Sequence, residues 1–108
     1  MANMKATTQE RTVTPLAVDR ALRTLGTHVT DWRKLQRLTA AQVADRAGIS
    51  RDTLRAIEKG KGTASTENLL RVLRILGILD GMVAGADPYQ TDVGRLRAVE
   101  ILPKRVRG

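Results

Sequence analysis

Apolar residues recur at steps of three or four from residue 18 onward: Val18, Leu22, Leu25, Val29, Trp32 and Leu35. That spacing gathers them on one face of a helix. Pro15 suits its start, because the missing N–H would be unpaired in a first turn anyway. Gly26 interrupts the run, so the pattern fits either two helices or one weakened at its middle. A second segment opens at Thr39, which with Gln42 matches a capping box, and Val43, Ala44 and Ala47 supply a short buried face. Gly48 is free to take the left-handed conformation that ends a helix. Ser50 caps a third segment, Arg51 to Glu58, with Leu54 and Ile57 facing inward and a stop near Gly60. Ser65 or Thr66 caps a fourth, carrying Leu69, Leu70, Val72, Leu73 and Leu76, the most buried candidate, ended by Gly77. Ile78 to Ala86 reads as a short apolar helix and Asp87-Pro88-Tyr89 as a turn. Thr91 and Asp92 cap a last helix with Val93, Leu96 and Val99 or Glu100, which Pro103 should end. Strand-type alternation of useful length and internal repeats are both missing, so the expected fold is all-α.

Composition narrows the classes. A chain of 108 residues suits one domain. Aromatics are only 2%, so the core must be aliphatic, with Trp32 expected inside it. The absence of cysteine excludes disulfide staples, thiolate zinc sites and cysteine nucleophiles. His28, the only histidine, has no partner at ligand spacing, so no metal is expected. Apolar stretches are broken by Arg71, Arg74 and Asp80, and the N-terminal segment is polar and Thr-rich, so neither a membrane span nor a signal peptide is expected. The expected location is the cytoplasm, associated with the nucleoid. The expected division is a flexible arm over 1–14, a domain over 15–86 with its motif at 39–58, and a C-terminal helix with a basic tail over 87–108. Lys and Arg number 19 against 11 Asp and Glu, a net charge of +8 that favours a polyanionic partner, nucleic acid before an anionic membrane surface.

Thr39 to Glu58, TAAQVADRAGISRDTLRAIE, is the informative stretch. Two short capped helices are joined by the turn Gly48-Ile49-Ser50, which is the helix-turn-helix pattern. Ala44 is small where the helices would touch, and Ile49 plugs the corner between them. With Leu54 and Ile57 turned inward, Arg51, Asp52, Arg55 and Ala56 are left on the outer face. Such a helix reads bases with its N-terminal end in the major groove. An Arg can grip a guanine edge with two hydrogen bonds, while Asp52 can accept from a cytosine amine or hold a neighbouring Arg in place. Residues 33–61 carry eight basic groups against three acidic ones, more than half of the whole net charge.

Between about Leu25 and Gly77 the chain resembles the phage-repressor-like, or xenobiotic-response-element (XRE), helix-turn-helix regulators. The matching elements are Trp32-Arg33-Lys34, Leu38-Thr39, Val43-Ala44, Ala47-Gly48-Ile49-Ser50, Thr53-Leu54, Ile57-Glu58, Gly60 and Leu69 to Leu76. The resemblance implies a compact five-helix domain, here with N- and C-terminal helical extensions, whose second and third helices meet DNA. It implies that Arg51, Asp52 and Arg55 face base edges, that Ser50, Thr53, Lys59 and Lys61 lie near phosphates, and that Arg33 pairs with Glu58. One departure stands out: many members place Gln directly after the capping residue, where this chain has Ala40, so Gln42 or the bare helix N-terminus must take over that phosphate contact. The segment from Asp87 to Gly108 resembles the tail of a subset of these regulators, some of which sit beside kinase-like toxins and act as antitoxins.

The expected function is therefore a sequence-specific regulator of double-stranded DNA, a repressor acting as a homodimer. Phosphate neutralisation by Arg33, Lys34, Arg37, Lys59 and Lys61 would supply affinity, and Arg51, Asp52 and Arg55 sequence choice. A dimer is expected because two-fold readers of this kind place their recognition helices one DNA turn apart, and because Val18, Leu22, Leu25, Ile78, Leu79, Met82 and Val83 exceed what one small motif core uses. The alternative is an antitoxin that binds a kinase-like toxin and autoregulates its operon. Catalysis has no support: there is no Ser/His/Asp arrangement with motif context, and Gly60-Lys61-Gly62-Thr63 lacks the strand and glycine spacing of a phosphate loop. No cofactor is expected.

Overall fold

The structure is a computed structural model that describes residues 13–102. Residues 1–12 of the expected arm, Pro103 and the basic tail of Lys104, Arg105 and Arg107 lie outside the described residues. Among the described residues six α-helices and one 3-10 turn follow in order: α1 (Leu16–Leu35), α2 (Ala40–Ala47), α3 (Arg51–Glu58), α4 (Thr66–Leu76), α5 (Leu79–Gly85), the 3-10 turn Pro88–Gln90 and α6 (Asp92–Ile101). Among the described residues there is no strand.

The local signals place the elements well. Thr39 and Gln42 form the full capping box, with Gln42 N–H donating to Thr39 Oγ1 at 3.0 Å and Thr39 N–H to Gln42 Oε1 at 2.8 Å. Ser50, Ser65 and Thr91 each cap the following helix by accepting one backbone N–H. Each such cap satisfies a donor that the first helical turn would otherwise leave unpaired, worth about 1 kcal/mol. Gly48, at φ +73°, closes α2.

Gly26 does not divide the first helix; α1 runs unbroken over 20 residues. The glycine is there for proximity. A Cβ on it would lie 2.5 Å from the carbonyl oxygens of both Ile57 and Glu58, so α1 crosses the end of α3 at backbone contact. The inward edge of α1 includes Gly26, Val29 and Arg33, which corrects the expectation for Trp32: it is 43% exposed, and Leu35 more so. The hydrophobic count missed this edge because two of its members are a glycine and a paired arginine.

Val29, Val43, Ala44, Ala47, Leu54, Ile57, Val72, Leu73 and Leu76 form one core joining α1 to α4. Leu38, Ile49, Leu69, Ile78 and Leu79 pack on its margin. Two polar side chains tie helix ends across it. Gln36 Nε2 donates to the Leu76 carbonyl at 2.8 Å, and Arg71 Nη1 donates to the Ala47 carbonyl at 3.3 Å. These carbonyls are the acceptors a helix C-terminus leaves over. Beyond Leu79 the apolar residues change role. Met82 and Val83 on α5 are exposed, as are Val93, Leu96, Val99 and Ile101 on α6, where only Ala98 is buried. The last helix packs on the 3-10 turn before it, and an Arg95–Asp92 ion pair lies along its first turns.

Candidate nucleic-acid interface

α2 and α3 meet through the turn Gly48-Ile49-Ser50. The turn is closed by an Ile49 N–H to Ala44 carbonyl bond of 3.0 Å. Ser50 then caps α3, accepting from Thr53 N–H at 3.0 Å, while its own hydroxyl bonds the Thr53 hydroxyl at 2.9 Å. Leu54 and Ile57 pin α3 down at 1% and 6% exposure. Arg51, Asp52 and Arg55 are all exposed, on the outer side the pattern predicts.

These three side chains are not equivalent. Arg55 Nη1 donates to Asp52 Oδ1 at 3.0 Å, one turn apart on the same helix. Arg51 makes no hydrogen bond or ion pair with any described residue. Asp52 thus holds Arg55 and also sits in the first turn, where a negative charge complements the helix dipole. Both pair members are well exposed, so the pair restrains a rotamer and adds little stability. Arg51 projects with its five donors unspent.

Lys34 lies at the end of α1 and Arg37 two residues past it, and Lys59 and Lys61 lie just past α3. All four are exposed and form no ion pair with described residues. Gln42 spends its side-chain oxygen on the capping box, so only its amide nitrogen remains to donate. Ala40, where the resembling family often has Gln, is half-buried against the core.

Arg33 belongs elsewhere. Its Nε donates to Glu58 Oε2 at 2.8 Å, Nη2 to Glu58 Oε1 at 3.2 Å and Nη1 to the Leu38 carbonyl at 3.1 Å. Both side chains of the pair are 14% exposed. The hydrogen bonds to Glu58 hold the Arg33 guanidinium above its ordinary pKa, against the opposing effect of burial. The pairing implied by the family resemblance is thus present, and it removes Arg33 from the cations presented to solvent. Arg33 is a strut instead: it fixes the end of α1 to the end of α3, and so carries Lys34 and Lys59 on either side of one rigid joint.

Other features stand apart from this face. His28 is exposed, and no group of three or more His, Asp or Glu among the described residues could hold a metal ion. Gly60-Lys61-Gly62-Thr63 follows a helix, with Gly60 closing α3 at φ +75°. No helix among the described residues is long and apolar enough to cross a membrane.

Comparison with known proteins agrees with this geometry. The helix-turn-helix family model matches residues 29–79, from the middle of α1 to the start of α5. None of the curated proteins compared with the chain matches it. Residues 29–79, just under half of the chain, thus match a helix-turn-helix domain of the phage-repressor-like, XRE type, and the match supports a DNA-binding transcription regulator of that type.

Proposed function

We propose that the chain is a sequence-specific repressor that binds double-stranded DNA as a homodimer, at the nucleoid. The observation that carries this is α3: a capped helix locked by Leu54 and Ile57, whose outer face offers a free Arg51 beside an Arg55 held by Asp52. In this reading Arg51 and Arg55 meet base edges, and Asp52 either accepts from a base or sets the aim of Arg55. Lys34, Arg37, Lys59 and Lys61 neutralise phosphates, while Gln42, Ser50 and Thr53 lie along the same backbone. The DNA-binding unit spans 15–86, with the C-terminal helix and basic tail of 87–108 as an extension. The dimer draws support from apolar surface the core does not use: Val18 and Leu22 beside a groove on α1, and Met82, Val83, Val93, Leu96 and Val99 on α5 and α6. Selection of bound fragments from random duplexes at two salt concentrations tests the proposal. The expected outcome is an enriched two-fold-symmetric motif, with half-sites about one helical turn or roughly 34–36 Å apart, bound more weakly at higher salt. Uniform recovery of all sequences would refute base reading.

The exposed row on α6 also favours a second reading, an antitoxin that covers a kinase-like toxin with this helix and autoregulates its operon. Expression together with the product of the neighbouring gene separates the two. A complex lost when residues 87–108 are removed, while DNA binding persists, favours the antitoxin.

A further inference from the structure

Four helices end on the same hydrogen-bonded turn. In each, one N–H reaches back to the carbonyl five residues earlier, and the residue before it takes a positive φ. For α2, α3 and α4 the positive-φ residue is Gly48, Gly60 or Gly77, at +73°, +75° and +80°. For α1 it is Arg37, at +60°, with Leu38 N–H bonded to the Arg33 carbonyl at 3.0 Å and Arg37 N–H to the Lys34 carbonyl at 2.9 Å. Arg37 is the only non-glycine with positive φ among the described residues. A side chain there crowds its own backbone, a conflict glycine escapes.

Nothing inside the domain compensates for this. The Arg37 side chain is exposed and bonds to no described residue. Its neighbours are committed: Gln36 to the Leu76 carbonyl, and Leu38 through its own carbonyl to Arg33. The corner is therefore held from both sides, and the side chain at its positive-φ position, two residues before the cap of α2, is an exposed guanidinium with no partner among the described residues. A cation kept at an unfavourable backbone position, with no internal partner, is accounted for by an external anion.

We infer that Arg37 is a dedicated DNA-phosphate contact, kept in a left-handed conformation at the expense of stability because the corner aims its charge at the backbone beside α2. The inference rests on the DNA-binding reading above and adds an opposition between folding and binding at one residue.

The test compares Arg37→Gly, Arg37→Asn and Arg37→Lys by thermal unfolding and by duplex binding across a salt series. Arg37→Gly should unfold a few degrees higher than the parent, since glycine suits this φ. For each half-site of the dimer it should bind roughly fivefold to tenfold more weakly near 0.1 M salt, with the log–log salt slope smaller by about 0.9 per half-site and so about 1.8 for the whole site. Arg37→Asn, uncharged and tolerant of the conformation, should lose the same slope. Arg37→Lys should keep both the parent's melting temperature and its slope. A glycine variant with the parent's affinity and slope overturns the phosphate contact alone, and one no more stable than the parent overturns the conformational conflict. A parent that binds no duplex overturns both this inference and the reading beneath it.

Discussion

Removing Glu58 perturbs the joint that orients the recognition helix. In Glu58→Ala, Arg33 loses two charge-assisted hydrogen bonds, those of 2.8 and 3.2 Å, and keeps only the Leu38 carbonyl. The guanidinium cannot swing into water without disturbing α1, because its side chain is 14% exposed. Each lost bond to a charged partner is worth about 1.5–3 kcal/mol, and an uncompensated buried charge costs about 3–5 kcal/mol. The partial exposure argues for the low end, about 3 kcal/mol. A domain of this size has only about 5–15 kcal/mol in total and loses roughly 4–8 °C of Tm per kcal/mol. The double variant Arg33→Met with Glu58→Met should recover most of the loss, since two apolar side chains leave no charge unpaired. Urea unfolding followed by helical circular dichroism measures this as a fall in midpoint at constant slope. A Glu58→Ala variant within about 0.5 kcal/mol of the parent, or single losses that simply add in the double variant, would refute the strut.

Two further outcomes follow from the same geometry. Gly26→Ala should destabilise by about 1–3 kcal/mol despite alanine's better helix propensity, because its Cβ meets the Ile57 and Glu58 carbonyls at 2.5 Å; thermal unfolding measures it, and a gain in stability would contradict the close crossing. Lys59→Ala should weaken all duplexes alike and reduce the salt slope by about one per half-site, with folding unchanged; a salt series on specific and random duplexes measures it, and an unaltered slope would remove Lys59 from the phosphate set.

The stretch from Thr39 to Glu58 was legible because its determinants are local. Caps at Thr39 and Ser50, a turn at Gly48 and the inward pair Leu54 and Ile57 all act within a few residues of one another, so spacing alone encodes them. What spacing could not reveal depends on distant partners. Gly26 reads as a helix breaker until the carbonyls of α3 are placed against it. Arg33 reads as one more surface cation until Glu58, 25 residues away, takes its guanidinium. Trp32 reads as core until the inward edge of α1 is seen to include Arg33, one position on. The family resemblance did name the Arg33–Glu58 pair, yet counting Arg33 among the phosphate cations overlooked what that pair consumes. Arg37 gave no signal as a strained position, since nothing in its neighbours' identities announces a positive φ.

The most direct test of the account concerns the unpaired arginine of α3. Base preference of the parent and of Arg51→Ala, measured on a panel of duplexes carrying every single substitution in the selected motif, isolates its role. The expected result is a loss of about 1–3 kcal/mol per half-site on the preferred duplex and relaxed preference at one base pair in each half-site, the other positions keeping theirs. An Arg51→Ala variant with the parent's affinity and full preference at every position would contradict it.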